Sequence, residues 1–148
     1  MRPVVNARIA RAWAGPLVVV RGTVFDTRTQ LGFVALSHDA MVGYVTYQLT
    51  AEGCEITVLE SLQERQGIGR ALVEAVINTA KAAGCGCVRV VTTNDNINAR
   101  RFYQGCGFRL AAVRFGAVAE ARRLKPSIPP TGYDATPITD ELEFALQL

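Results

Sequence analysis

Histidine is nearly absent: the 148 residues contain one, His38. The four cysteines, Cys54, Cys85, Cys87 and Cys106, include no Cys-x-x-Cys pair. Tetrahedral zinc lacks a ligand set in such a chain, so no metal is expected. The cysteines read instead as reduced, small apolar residues. Long apolar runs are missing too. The longest aliphatic stretch, Leu17 to Val20, is far short of the ~20 residues that cross a bilayer. Arg2 is followed by neither the apolar region nor the small-residue cleavage site of a signal peptide. These absences predict a soluble, cytoplasmic protein with no membrane partner. Charge is modest: 16 Lys and Arg face 13 Asp and Glu, a net +3. That balance tolerates an anionic ligand but falls short of a nucleic-acid-binding surface, and the few aromatics are not interleaved with basic residues.

What is present is a 49% hydrophobic chain of a length that suits one domain, 1–148, around one core. Val4 to Trp13 reads as a short helix ended by Gly15-Pro16, and Leu17 to Arg21 as a strand. Gly22 to Gln30 reads as a polar loop. Leu31 to Ser37, Met41 to Leu49 and Cys54 to Leu59 follow as strands, with turns at His38-Asp39 and Ala51 to Gly53. The period then changes. From Gly67 to Ala83 the residues Ile68, Leu72, Ala75, Val76, Ala80 and Ala83 fall at helical spacing, opposite a stripe of Arg70, Glu74, Asn78 and Lys81. Cys87 to Thr92 is apolar on both faces, as a covered central strand should be.

A helix fits Asn96 to Gln104, a strand Phe108 to Phe115 and a helix Ala117 to Leu124, and Pro126 to Gly132 breaks regular structure. Leu142 to Leu148 alternates with period two. Its glutamates, Glu141 and Glu143, read as solvent-facing, and the strand itself either pairs with a second copy or guards an edge. Trp13 reads as a packing anchor. Arg122, Arg123 and Lys125 read as a solvated helix end. A strand meander joined to a crossover predicts an α/β fold with a mixed central sheet and helices on its faces.

Two segments carry chemistry. Gln66-Gly67-Ile68-Gly69-Arg70-Ala71 opens the long helix, where first-turn N–H groups and the helix dipole favour a phosphate. The glycines fit neither a P-loop nor a dinucleotide fingerprint, and they serve equally well as a plain tight turn. The second segment runs from Asn94 to Phe108. In a helix from Asn96, the residues Ala99, Phe102 and Tyr103 share a face. Tyr103 fits either core or site, and Asn94 to Asn98 fit a cap and turn as well as a ligand contact.

Together these segments resemble two signatures of the GNAT superfamily of N-acetyltransferases. One is Gly67-Ile68-Gly69 opening a helix after a strand. The other is the run Asn96, Ala99, Tyr103, Gly107 and Phe108. The likeness covers Cys54 to Leu110, and the tail from Ala117, with Lys125-Pro-Ser-Ile-Pro129 and an acidic last strand, resembles relatives of unknown substrate. One departure is Glu64, where the family usually has Gln or Arg. The resemblance implies the GNAT fold, with the strands Cys54–Leu59 and Cys87–Thr92 splayed apart. It implies acetyl-CoA as co-substrate: Val58 and Leu59 on the pantetheine, Gln66, Gly67, Ile68, Gly69, Arg70 and Ala71 on the pyrophosphate, and Asn96 and Ala99 along the arm. It implies direct attack by a primary amine, borne by a small molecule or peptide, with Tyr103 as general acid. Glu60 is the best-placed base, acting directly or through water, with Glu55 as the alternative if the register differs. A non-catalytic acetyl-CoA-binding module of the same fold, or another enzyme binding a phosphate ligand, also fits the residues.

Overall fold

The computed structural model describes residues 1–13, 15–63 and 65–148. Pro3 opens the first helix, α1 (Arg2–Ala12), where a missing N–H costs nothing. Val5 and Ile9, four apart, form its buried stripe. The segment expected to be a loop is folded. β1 (Leu17–Val20) and β2 (Thr23–Asp26) pair as an antiparallel hairpin, and Thr27–Thr29 makes a 3₁₀ turn capped by the Asp26 carboxylate. The turn residues are Arg21 and Gly22, both at positive φ (52° and 73°), the backbone of a tight two-residue hairpin loop. Arginine is an uncommon choice there, which is why the hairpin was not apparent from the residues.

β3 (Leu31–Ser37), β4 (Ala40–Thr50) and β5 (Gly53–Ser61) form the expected meander. α2 (Ile68–Ala82) buries Leu72, Val73, Val76 and Ala80. It ends where Gly84, at φ 80°, lets its own N–H reach Lys81 O and the Cys85 N–H reach Ala80 O, both at 3.0 Å. β6 (Cys87–Thr93), α3 (Ile97–Gly105), β7 (Arg109–Arg114), α4 (Ala117–Leu124) and β8 (Glu141–Gln147) complete the chain.

The main sheet has the order β3-β4-β5-β6-β8-β7, and only the β5–β6 pair is parallel. α2 and α3 cover one face over a core of Val73, Val76, Val88, Val90 and Phe144, each largely withdrawn from water. Burying a side chain of that kind is worth about 1.5–3 kcal/mol. The other face is covered by α1, packed on Tyr44 and Val58, and by the β1–β2 hairpin, against which α4 packs. The mixed sheet with helices on both faces is the architecture expected from the sequence.

The last strand is neither an edge nor exposed. β8 inserts between β6 and β7, so Glu141 is 4% exposed and Glu143 is largely covered, contrary to the alternation reading. They tolerate this because arginines lie over them. Arg21, from the hairpin turn, reaches Glu55 (2.5 Å), Glu143 (3.6 Å) and, through its backbone N–H, Glu141 (3.2 Å). Arg114 reaches Glu143 at 3.2 Å and Glu141 at 3.5 Å. Nor is the end of α4 simply solvated. Arg122 donates to the carbonyls of Pro129 and Ile138, and Lys125 to those of Trp13 and Leu17, while Arg123 alone pairs on the surface, with Glu120.

Glu55 is 1% exposed and forms its ion pair with Arg21. Removing one partner of a buried pair leaves the other uncompensated, at a cost of about 3–5 kcal/mol. Arg21→Met is therefore expected to lower the stability measured by urea denaturation by about 3 kcal/mol, and adding Glu55→Met to restore most of it. Equal midpoints for Arg21→Met and the unmodified chain would mean that the hairpin is held by something else.

Candidate active site

The site begins where two neighbouring strands part. β5 and β6 pair only from Cys54↔Val88 to Ile56↔Val90, although β5 runs on to Ser61 and β6 to Thr93. The cause lies on the other side of β5. Its register with β4 passes from Tyr47↔Ile56 to Thr46↔Val58, leaving Thr57 as the extra residue of a β-bulge. A bulge bends the strand that carries it. It also reverses which side chains face which layer: Ile56 packs under α2, Val58 under α1. Three contacts fix Thr57. Its hydroxyl meets Gln30 Oε1 at 2.5 Å, Thr46 Oγ1 at 2.9 Å and Thr46 O at 3.2 Å.

The bend leaves backbone groups open. Leu62 N donates to Val42 O at 2.8 Å. Antiparallel alternation then turns the backbone groups of Glu60 and Val58 toward β4, and those of Leu59 and Ser61 toward the gap. Of the two residues expected to meet the pantetheine, Leu59 presents its backbone to the opening, and Val58 instead buries its side chain against α1.

The N-terminus of α2 follows β5 in the chain, with Ile68 packed beside Gly43 of β4, and none of Gln66 to Ala71 is among the residues lining the cleft that this gap opens into. Gly67 caps the helix, at φ 72°, and the first helical bond runs from Ala71 N to Gly67 O at 3.0 Å. The N–H groups of Ile68, Gly69 and Arg70 therefore have no acceptor within the helix. Gly69 has a second reason to lack a side chain: a Cβ there would sit 3.1 Å from the Phe102 ring of α3. The Arg70 guanidinium donates to Gly105 O at 2.9 Å, so it ties α2 to α3. Gln66 is exposed just before the cap, and Glu64 lies outside the described residues.

α3 contributes from the far wall. Asn96 caps it, Oδ1 accepting from Ala99 N at 3.0 Å, which leaves the amide NH₂ as the free part of that side chain. Asn96, Ala99 and Tyr103 all line the cleft. Tyr103 is 6% exposed, with its ring among Phe102, Phe108 and Phe144. Burial, with a smaller effect from Cys106, pushes its hydroxyl pKa up, so the phenol keeps its proton. It is both core and cleft wall, which joins the two readings the sequence left apart.

Glu60 lies on the α1 side of the cleft, held by Arg8 Nη2 at 2.6 Å and Tyr44 Oη at 2.5 Å. Burial works to raise its pKa. The Arg8 hydrogen bond, the Tyr44 hydroxyl and the guanidinium charge outweigh burial and hold the carboxyl below its ordinary 4.5. Glu55, the alternative base, is turned into the Arg21 network instead. Trp13, expected to be a packing anchor, is 40% exposed at the rim. Two side chains of the Asn94 to Asn98 cluster had no individual role assigned from the sequence. Asp95 lines the cleft, and Asn94 fastens the strand leading to β8 by accepting from Thr139 N and Asp140 N at 3.0 and 3.1 Å. Their place in the run Asn94-Asp95-Asn96 was the available signal. The whole cleft encloses about 1090 Å³, reaching from the strand gap to the walls made by α1, β1, α4 and residues 127–138.

Comparison with known proteins agrees with this geometry. Residues 11–108 match the model of the Acetyltransferase (GNAT) family. Two Bacillus subtilis (strain 168) proteins are similar over nearly the full chain. YdhI is 39% identical over 137 residues, 92% of this chain and 86% of its own, and YxbD is 34% identical over 148 residues, 99% and 93%. Among solved structures, the IAA acetyltransferase from Bacillus cereus ATCC 14579 has a TM-score of 0.70 at 23% identity, covering 80% of this chain and 78% of its own. A Bacillus subtilis acetyltransferase in complex with CoA has 0.67 at 23%, covering 79% and 76%. A GNAT family acetyltransferase from Elizabethkingia anophelis with acetyl-CoA bound has 0.69 at 22%, covering 79% and 75%. The chain belongs to the GNAT acetyltransferase family, and it is an acyltransferase by class.

Because the pKa of Glu60 is lower folded than unfolded, its contribution to stability is full above the ordinary carboxylate value. It is lost as pH falls through the folded value. Glu60→Gln is thus expected to be less stable than the unmodified chain at neutral pH, with the gap closing below pH 4.5. Chemical denaturation across that range checks it, and a gap independent of pH would remove the ion pair from the account.

Proposed function

We infer that the protein moves an acetyl group from acetyl-CoA to a primary amine by direct attack, with Tyr103 as the general acid. The observation that carries this reading is the unpaired stretch of β5 opposite β6, which shares one cleft with a buried, protonated tyrosine. A long, flexible ligand with an anionic middle and amide groups along its arm fits such a channel. The solved neighbours with CoA or acetyl-CoA bound share the fold that builds it.

When bound, acetyl-CoA supplies an activated thioester carbonyl. On this reading each element of the chain has a role. The N–H groups of Ile68, Gly69 and Arg70, with the dipole of α2 behind them, face the pyrophosphate, and Gln66, Gly67 and Ala71 shape that turn. The backbone of Leu59 offers the ladder bonds that β6 no longer takes up, and Val58 holds the strand in place. Asn96 turns its free amide toward the arm, past the small side chain of Ala99. Tyr103 hands its phenolic proton to the sulfur as the carbon–sulfur bond breaks and the carbon–nitrogen bond forms. Glu60 receives the proton that the amine gives up, through a water. Arg8 holds it as an anion, so it orients the relaying water and offsets the positive charge that passes through it.

Isothermal titration with acetyl-CoA, free CoA and ATP tests the donor. Saturable binding of acetyl-CoA without binding of ATP supports it, and no binding by the folded protein overturns it. Tyr103→Phe is expected to leave acetyl-CoA affinity unchanged and to lower kcat by about 100-fold or more, the usual range for a lost general acid. Unchanged kcat would return Tyr103 to the core. An unmodified chain that binds acetyl-CoA without turnover on any amine would make the protein a binding module.

A further inference from the structure

Beyond the strand gap the cleft changes character. Its walls there are Trp13 at the end of α1, Val18 and Val20 of β1, and Ile128, Tyr133 and Ile138 of the stretch after α4. Two cations border this wall: Lys125 Nζ is taken by the carbonyls of Trp13 and Leu17 at 2.6 Å each, so it ties α1 to β1, and Arg11 is exposed near the end of α1. Three carboxylates border the same space, Glu60, Glu141 and Asp95. Two are answered within the chain, Glu60 by Arg8 and Glu141 by Arg114.

Asp95 is different. It is 6% exposed, accepting from Thr93 Oγ1 at 2.5 Å and from Tyr133 N at 3.2 Å, and among the described residues no lysine or arginine pairs with it. The 131–137 loop closes on it tightly enough that a Cβ on Gly132 would overlap its Oδ2. Arg21, Arg89 and Arg114 are engaged elsewhere, shared among Glu52, Glu55, Glu141 and Glu143. The two hydrogen bonds satisfy part of what the carboxylate loses on burial, and an arriving ammonium would supply the cation it lacks.

We propose that this half of the cleft takes a monocationic amine on a compact apolar or aromatic body, its ammonium seated on Asp95 and its body against Trp13, Val18, Ile128 and Tyr133. The assignment rests on the acetyl-transfer reading and narrows it. Apolar walls exclude acceptors that carry charge along their length, so a linear polyamine fits poorly. A free amino acid would bring its own carboxylate up to Asp95. A protonated amine with an uncharged tail satisfies both the walls and the carboxylate. Exposed aromatic faces at the rim add a cation–π contribution as the ammonium enters.

The test uses the full chain, acetyl-CoA and three amines: 2-phenylethylamine, L-phenylalanine and spermidine. The expected result is a kcat/KM for 2-phenylethylamine at least tenfold above the other two. Asp95→Asn should raise its KM about 10- to 100-fold, the effect of a lost charge-assisted hydrogen bond, while leaving the acetyl-CoA dissociation constant unchanged. The neutral isostere 2-phenylethanol separates binding from scaffolding. As a competitive inhibitor it should be equally strong against Asp95→Asn and the unmodified enzyme, whereas a merely structural role for Asp95 would weaken it along with the amine. Should Asp95→Asn fail to fold, Trp13→Ala serves in its place and should reduce kcat/KM for 2-phenylethylamine more than for spermidine. Acetyl-CoA binding with equal turnover of all three amines, or an amine KM indifferent to Asp95, overturns the acceptor assignment and leaves the donor reading standing. Absence of acetyl-CoA binding overturns both.

Discussion

A β-strand in the middle of a sheet offers hydrogen-bonding groups on both sides, and a buried N–H or C=O without a partner is costly. β5 satisfies its β4 side along nearly its whole length but its β6 side only as far as Ile56. Everything distinctive about this molecule follows from how that half-empty ladder is kept open. Thr57 bulges, and its hydroxyl is gripped by Gln30 and by both the hydroxyl and carbonyl of Thr46. β6 cannot swing back to close the gap because its other side is fully paired with β8, through Thr93↔Glu141. The opening is thus held from both flanks, and its backbone groups stay directed at whatever enters.

The second layer of the design is electrostatic. On the face away from α2, the sheet carries Glu55, Arg89, Glu141, Glu143 and Arg114 where a β-sandwich would carry aliphatic side chains. Arg21 plugs this layer from the tip of the β1–β2 hairpin, so a short and otherwise weak two-stranded unit is anchored by one guanidinium. The hairpin also supplies Val18 to Val20 as a cleft wall. Charge pairing and cleft shape therefore depend on each other: loosening Arg21 moves the wall.

Much of this was legible in the residues, for identifiable reasons. The 3.6-residue period of Leu72, Val76 and Ala80 placed α2, and the two glycines placed its N-terminus, because both are local signals. The departure of β5 from β6 was legible only through family resemblance. A bulge at Thr57 leaves no trace in composition, since Ile56-Thr57-Val58 reads as ordinary alternation. Glu141 and Glu143 misled for a related reason: period two tells which residues share a face, but not whether that face meets water. Only the arrival of Arg21, 120 residues away in sequence from Glu141, turns it into a buried ionic layer. Lys125 and Arg122 misled similarly, because helix-end cations are usually solvated, and here the backbone carbonyls of three separate segments claim them.

The same logic separates the two titratable groups to which the proposed reaction gives roles. Tyr103 and Glu60 are both withdrawn from water, and burial alone would raise the pKa of each. Tyr103 has no cation to oppose this, so it remains an acid at any physiological pH. Glu60 has Arg8, and it remains an anion. A carboxylate held below 4.5 is a weak base toward an alkylammonium of reference pKa ~10.4; direct proton transfer between them is uphill by about 8 kcal/mol. The amine must therefore become neutral by another route. The apolar walls provide it, because desolvation disfavours the ammonium as strongly as it disfavours any buried charge. In the proposed reaction, a carboxylate that captures the cation and walls that discourage it work in sequence. Asp95 draws the amine in, and movement of its nitrogen toward the strand gap, away from that carboxylate and into apolar surroundings, releases the proton through water to the Glu60 side.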